Sequence, residues 1–417
     1  MSGPEIVSLG CRLNMAEGEA MRALAGDADD LIVVNSCAVT AEAVRQSAQA
    51  ARRAARQGGK RVIVTGCAAQ LEPDRFAAIP GVAAVLGNRE KWDAALLRSP
   101  TPPPVAVSDI MAARETAPHL AAGFGTRARA FVEVQNGCDH RCTFCVIPFA
   151  RGPSRSVPPA LVVDKVKALV DRGYHEVVLT GVDTTSYGAD IGDSLGSLVE
   201  RVLAAVPALR RLRLSSLDSV EIDDRLFALV TQEPRVQPHL HLSLQAGDDM
   251  VLKRMKRRHT RGQAVALVER LKAARPEIAI GADLIAGFPT ETEEQAGNTL
   301  RLLADCDIVF AHVFPYSARR GTPAARMPQV EPQVARARAK RLREAGETRR
   351  RAWLGAQLGA VQSLLVERED GRGHVGSYAE ARLAGGAPGA GNLPRPGDIV
   401  AMRVTAVDGD ALIGELA

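Results

Sequence analysis

Three times in its first seventy residues the chain runs a short, mostly β-branched stretch into a polar turn and a cysteine: IVSLGC ends at Cys11, LIVVNSC at Cys37 and VIVTGC at Cys67. Amphipathic stretches separate these segments, one after Asn14 and one with Thr40 in the N-cap position, and a fourth short run follows at Ala84–Leu86. Strand and helix in alternation predict βαβ units and a parallel, Rossmann-like sheet. In an open parallel sheet the carboxyl ends of neighbouring strands lie along one edge, where ligands bind. Cys11, Cys37 and Cys67 are therefore expected to converge there. One cysteine at a strand end is most simply a packing residue. Three in matched settings point to a common ligand, with an iron-sulfur cluster as the expectation.

At 417 residues the chain exceeds what one core usually organises, and 46% hydrophobic with 24% charged residues is ordinary globular composition. Two or three domains are expected. Residues 99–107 read SPTPPPVAV; three consecutive prolines continue neither a helix nor a central strand, which predicts a boundary within 99–128. Beyond it, strand-like segments near 131–135, 176–180, 210–215, 239–244, 278–285 and 308–314 alternate with helical ones at 159–172, 194–205, 262–275 and 291–304. Six such units predict a TIM-type parallel barrel or part of one, a partial (β/α)6 barrel, whose functional rim follows the strands. A long basic helix near 331–352 leads into short alternating segments at 363–366, 376–381, 398–407 and 411–415, read as a small antiparallel β-barrel. The stretch AGGAPGAGNL, 384–393, reads as a flexible surface loop. The expected α/β division is 1–112, 124–352 and 353–417.

No basic segment followed by a long apolar run opens the chain, and no stretch of about 18 apolar residues occurs, so no membrane association and a cytoplasmic, reducing setting are expected. There, grouped cysteines signal metal or redox chemistry. CDHRCTFC at 138–145 sets Cys138, Cys142 and Cys145 in a CxxxCxxC loop, which can bring three sulfurs onto three irons of one cube and leave the fourth iron open. Structural zinc is the alternative, with His140 as its fourth ligand, but such sites usually offer paired CxxC elements. Cys306, in LLADCDIVF, has no comparable setting and is read as packing.

With Phe144 just before its last cysteine, this loop resembles that of the radical S-adenosylmethionine superfamily. The resemblance implies that the open iron chelates the amino and carboxylate groups of S-adenosylmethionine, which an electron from the cluster cleaves to a 5′-deoxyadenosyl radical. Two three-cysteine sites in this order, followed by a barrel and a small β-domain, resemble the methylthiotransferases. The stretches GCRLNMAEGEA, VVNSCAVTAEAVRQS, VTGCAAQ, CDHRCTFCVIPFARGPSRS, VVLTGVDTTSYG, RLRLSSLDS, HLSLQAGDDMVLKRMKRRHT, DLIAGFPTET and FPYSARRGTPAA carry the likeness. It implies an N-terminal methylthiotransferase domain, a central radical domain and a TRAM-like, RNA-binding-type β-barrel.

It further implies two 4Fe-4S clusters and two molecules of S-adenosylmethionine per turnover. The Cys11, Cys37 and Cys67 cluster would carry the sulfur, which one cofactor molecule methylates before a second is cleaved. Phe144, Thr180, Gly181, Ser216, Ser243 and Gln245 would line the cofactor site. GCRLN, NSCAVT and the CxxxCxxC stretch are most similar to the branch that acts at C2 of N6-threonylcarbamoyladenosine at position 37 of tRNA. Branches acting on isopentenyladenosine in tRNA, or on an aspartate of a ribosomal protein, are the alternatives; a non-catalytic, metal-containing RNA-binding protein is the alternative of another class. An electron donor of flavodoxin or ferredoxin type is expected, and a monomer.

Net charge is only +5, but the cations cluster at Arg45–Arg56, Lys253–Arg261 and Arg336–Arg351, as a polyanionic partner such as tRNA requires. The C-terminal segment counts five Lys or Arg against eight acidic residues. RNA contact is therefore expected to rest on the 336–351 helix and the 253–261 cluster.

Overall fold

A computed structural model describes residues 3–114, 127–385 and 393–417. Residues 115–126, which hold much of the expected boundary, and 386–392 of the glycine-rich loop lie outside the described residues.

The N-terminal sheet is parallel throughout, in the order β1 (Glu5–Ser8), β2 (Leu31–Ser36), β3 (Arg61–Gly66), β4 (Val82–Leu86) and β5 (Val105–Ala106). Its helices are α1 (Arg12–Ala25), α2 (Ala41–Ala55), α3 (Cys67–Leu71), α4 (Pro73–Ala77) and α5 (Ala94–Arg98). Every residue of β2 is buried, as expected of a parallel strand covered on both faces. Thr40 caps α2 by accepting from the Ala43 amide at 3.0 Å. Two expectations shift. Helix α1 starts at Arg12, not after Asn14, because the Asn14 side chain donates to the carbonyls of Leu9 (2.7 Å) and Ser36 (3.1 Å), bracing its first turn. The proline-rich stretch taken to open the boundary still belongs in part to the N-terminal sheet, since Val105 and Ala106 pair with Val85 and Leu86 at the sheet edge, just past prolines that no ladder could use.

The central region contains β6 (Arg129–Asn136), α6 (Ile147–Arg151), β7 (Arg155–Ser156), α7 (Pro159–Asp171), β8 (Glu176–Gly181), α8 (Leu195–Ala205), β9 (Arg211–Leu214) and α9 (Asp224–Gln232). It continues through β10 (His239–Gln245), α10 (Asp249–Met255), α11 (Arg261–Ala274), β11 (Ala279–Ala286), α12 (Glu293–Asp305), β12 (Ile308–Pro315) and α13 (Pro332–Gly355). Six parallel strands run in the order β6-β8-β9, then β10-β11-β12, the two ladders meeting through bridges at Leu212–Val236 and Leu217–Leu242. This is the expected partial barrel. Short antiparallel β7 extends the β6 edge. Helix α1 serves both regions: Ala16 and Ala20 join the central core, while Met21 and Ala25 join the N-terminal one. Cys306 is fully buried in the central core, a packing residue as expected.

Strands β13 (Val361–Val366), β14 (Arg372–Val375), β15 (Glu380–Leu383), β16 (Ile399–Asp408) and β17 (Ala411–Leu416) close in the order β13-β14-β15-β17-β16. The barrel is antiparallel except where β15 and β17 run parallel; a closed ring of five strands cannot alternate direction all the way round. The strand expected at 376–381 is instead mostly the turn between β14 and β15, closed by Val375 and Ala379 and carrying Tyr378 at φ 73°. Among the described residues no helix is long and apolar enough to cross a membrane.

Candidate active site

The three strand-end cysteines do converge. Cys11 is the N-cap of α1, Cys37 follows β2 and Cys67 opens α3, so all three stand at the carboxyl ends of adjacent strands. Gly10, at φ 85°, makes the approach feasible: a Cβ there would lie 2.5 Å from the Cys37 Sγ. Burial pushes the Cys37 thiol up to about 11, with the neighbouring Cys67 and Cys11 adding to it. Cys11 faces the cavity, yet enough protein surrounds it that burial raises its thiol as well.

A buried cation stands beneath them. Arg151, at the end of α6, donates through Nε to the Cys67 Sγ (3.1 Å), through Nη1 and Nη2 to Glu17 (2.7 and 3.0 Å), and through Nη2 to the Asn14 Oδ1 (2.7 Å). Glu17 is also paired with buried Lys91 at 2.8 Å. Burial alone would raise the Glu17 carboxyl, but Arg151 and Lys91 hold it well below the usual carboxylate range.

The CxxxCxxC loop leaves the carboxyl end of β6 and is pinned at both sides. The Cys138 amide donates to the Gly152 carbonyl at 3.1 Å, and Thr143 bonds the end of α10 through its amide to Met255 (3.0 Å) and its hydroxyl to Arg254 (2.8 Å). Burial pushes Cys145 up to about 12, with Cys142 adding to it. Cys138 is raised by burial and by the Asp183 carboxylate, 3.7 Å away, as well as by Cys145 and Cys142. Three soft thiols on one short loop suit an iron-sulfur cluster, whose positive irons would offset the cost of ionising them. His140 turns to Asp183 (3.4 Å) and Glu221 (3.7 Å). The Cys138, His140 and Asp183 donor atoms lie within 4.8 Å of one another, a three-ligand set where closed structural zinc needs four.

Beside the strand-end cysteines lies a cavity of about 480 Å³, walled by Cys11, Cys37 and Cys67 and by Thr180, Gly181, Ser216, Ser243 and Gln245. A smaller cavity of about 150 Å³, walled by Phe144 and Cys145, shares Val39, Ile147, Gln245 and Asp283 with it. The six residues expected around the cofactor thus fall on two connected spaces, with Gln245 on both. Gln245 adopts φ 67° at a register shift in β10, backbone strain of the kind stored at functional sites.

Residues 132–303 match the family described as Radical SAM superfamily, and residues 5–87 match Uncharacterized protein family UPF0004. Threonylcarbamoyladenosine tRNA methylthiotransferase MtaB of Rickettsia prowazekii is 47% identical over 372 residues, 88% of each chain. The chain belongs to the radical S-adenosylmethionine methylthiotransferases. The MtaB of Bacillus subtilis is 40% identical over 80% of this methylthiotransferase and 78% of its own length. The tRNA-2-methylthio-N(6)-dimethylallyladenosine synthase of Cereibacter sphaeroides is 34% identical over 98% and 97%. The radical S-adenosylmethionine methyltransferase TsrM of Kitasatospora setae, solved with cobalamin and a [4Fe-4S] cluster, superimposes with a TM-score of 0.53 over 70% of this chain and 65% of its own, at 17% identity. That likeness bears on the fold alone. Membership makes this protein an enzyme that uses S-adenosylmethionine and a 4Fe-4S cluster.

Several buried or cavity-facing groups of the methylthiotransferase carry no sequence signal. His241 and His312 both approach Asp283, at 3.1 and 3.4 Å, on the cavity wall. Burial would raise the Asp283 carboxyl, but the two imidazoles hold it far down. Tyr378 reaches the cavity from the C-terminal barrel, stacks on His239 with ring centroids 4.9 Å apart, and accepts a hydrogen bond from Arg12. Arg257 belongs to the 253–261 basic cluster yet points inward, bonding Asp218 (3.0 Å) and the Ser243 carbonyl (2.7 Å) with Nη1 3.7 Å from the Cys142 Sγ. The 336–351 cluster is divided too: buried Arg338 pairs with Glu291 (2.9 Å) and Arg349 with Asp307 (2.6 Å), while Arg336, Lys340, Arg343 and Arg351 are exposed.

Proposed function

We propose that this enzyme inserts a methylthio group at C2 of N6-threonylcarbamoyladenosine at position 37 of tRNA. The observation that carries the reading is the pair of adjoining cavities, the larger roomy enough for a nucleobase and walled by Cys11, Cys37 and Cys67, the smaller walled by Cys145. An aromatic C–H at C2 is not acidic enough for any side chain to deprotonate at useful cost, so sulfur insertion there calls for a radical. The choice of modified base follows the relatives named for threonylcarbamoyladenosine, at 47% and 40% identity, over those named for dimethylallyladenosine, at 36% and 34%.

In this reading Cys138, Cys142 and Cys145 hold the cluster that supplies the cleaving electron, and Cys11, Cys37 and Cys67 hold a second 4Fe-4S cluster that supplies the sulfur. Residues 1–112, 124–352 and 353–417 are the sulfur-bearing, radical and barrel domains. Thr180, Gly181, Ser216, Ser243 and Gln245 position S-adenosylmethionine on one side of the cavity, with Phe144 closing the smaller space beside Cys145. Two molecules of S-adenosylmethionine are consumed per turnover. The enzyme works in the cytoplasm as a monomer, reduced by a flavodoxin or ferredoxin.

Nucleosides from cells lacking the gene, compared with the parent by mass spectrometry, test the substrate. Loss of the 2-methylthio derivative of threonylcarbamoyladenosine is expected. Loss of the dimethylallyl derivative instead would assign the other tRNA branch, and unchanged methylthio-adenosines would sink the tRNA reading.

A further inference from the structure

We propose that Arg12 is the specificity residue that grips the carboxylate on the N6 arm of the substrate base. The inference rests on threonylcarbamoyladenosine being that base. Among the described residues, two guanidinium groups line the large cavity, Arg12 and Arg151. Arg151 is committed to Glu17, Asn14 and the Cys67 sulfur. Arg12 has no carboxylate partner among the described residues. It donates to the Tyr378 hydroxyl and lies with its guanidinium carbon 5.0 Å from the centroid of that ring. A guanidinium has five N–H donors in a planar fork, so several remain for a ligand in the cavity.

Its place in the chain supplies the second half of the argument. Arg12 directly follows Cys11, in the first turn of α1, and so stands beside the sulfur-bearing group. In an adenine, N1 alone separates C2 from C6, the atom that bears N6. A base that presents C2 to Cys11, Cys37 and Cys67 therefore carries its N6 arm past that same edge of the cavity. In threonylcarbamoyladenosine the arm ends in a carboxylate, and a carboxylate leaving water must be paired. The other charges on the wall do not serve. Asp283 is itself an anion, and it occupies His241 and His312; His239 is buried, and burial together with nearby Arg213 holds it neutral.

The test is equilibrium binding of the cluster-loaded enzyme to two anticodon stem-loop RNAs, identical except that one carries threonylcarbamoyladenosine and the other its carboxamide analogue. The wild-type enzyme is expected to prefer the carboxylate RNA by at least about tenfold, as a charge-assisted hydrogen bond implies. Arg12→Gln should bind both RNAs alike, at the weaker affinity. Arg12→Lys keeps the charge and should keep part of the preference, which separates recognition from a folding defect. Equal weakening of both RNAs by Arg12→Gln would make Arg12 a brace to Tyr378 or a phosphate ligand and overturn the proposal. A wild-type enzyme indifferent to the carboxylate would overturn it as well. The parent reading is scored separately, from wild-type turnover of the carboxylate RNA followed by mass spectrometry. Absence of C2-methylthio product sinks that reading, whereas product formation with an unchanged preference in Arg12→Gln sinks only the role of Arg12.

Discussion

Each cysteine group owes its character to what surrounds the sulfurs. Cys142 stands beside an inward-turned cation, Arg257, and in a loop clamped to α10; Cys37 stands in a pocket that only a glycine at position 10 leaves open. If the groups divide the labour as proposed, Cys142→Ala abolishes both cleavage of S-adenosylmethionine and product. Cys37→Ala keeps cleavage and stops sulfur insertion. Chromatographic assay of 5′-deoxyadenosine beside product checks this, and equal loss of cleavage in both variants would refute the division. Arg151 belongs at the same scale. Replacing it with Met leaves buried Glu17 with Lys91 as its single ion-pair partner among the described residues, and breaking a buried pair this way costs about 3–5 kcal/mol. Denaturant unfolding measures that loss; a change under about 1 kcal/mol would mean that Lys91 suffices. The cysteines could be read from spacing. Arg151 could not, because its partner lies 134 positions away and nothing local marks either residue as buried and ionic.

Turns and helix faces do the placing. The β1–α1 turn brings Cys11 to Cys37 because Gly10 adopts a left-handed conformation and offers no Cβ. Gly10→Ala meets both penalties; if Cys37 helps to hold the proposed second cluster, the expected outcome is a folded protein with about four irons per chain in place of about eight, read by iron analysis after reconstitution. A full iron complement would remove Cys37 from the cluster set. Helix α13 poses the opposite problem. Its cations looked alike in sequence, but periodicity there mixes two functions, and packing against β12 and α12 decides which side chains are used up internally. Substituting Gln for exposed Arg336, Lys340, Arg343 and Arg351 should weaken tRNA binding and lower its salt dependence by about one unit of slope for each phosphate left without its cation. Arg338→Gln should instead lower thermal stability, since buried Glu291 loses its partner.

At the scale of the molecule, a knot of buried charge at the amino-terminal ends of the barrel strands fastens the C-terminal barrel in place. Glu176 meets Arg213 (2.9 Å), Arg211 (3.3 Å) and Arg129 (3.4 Å), and these arginines continue into the small barrel, Arg213 to the carbonyls of Val375 and Gly376 and Arg129 to Glu367. Burial would raise the Glu176 carboxyl, but Arg213, Arg129 and Arg211 override it and hold it at about 2. A folded pKa below the ordinary value of 4.5 means stability fully present above pH 4.5 and lost as pH falls toward 2, on the order of 3 kcal/mol in all. Glu176→Gln should lower stability at pH 7 and flatten this acid limb, as unfolding across pH 2 to 7 would show; an unchanged limb would place the acid sensitivity elsewhere. The same docking carries Tyr378 into the cavity, so the C-terminal barrel, expected as an RNA-binding-type domain, also helps to wall this cavity. Alternation of strand and helix, and cysteines spaced for a cluster or repeated at strand ends, were legible in the chain because they are local patterns that backbone periodicity enforces. The parallel β15–β17 closure, the Arg151–Glu17 pair beneath Cys67, the Asp283 histidines and the hydrogen bond from Arg12 to Tyr378 were decided by the tertiary structure alone. Each joins residues whose separation carries no pattern, and each forms only when packed surfaces remove both partners from water.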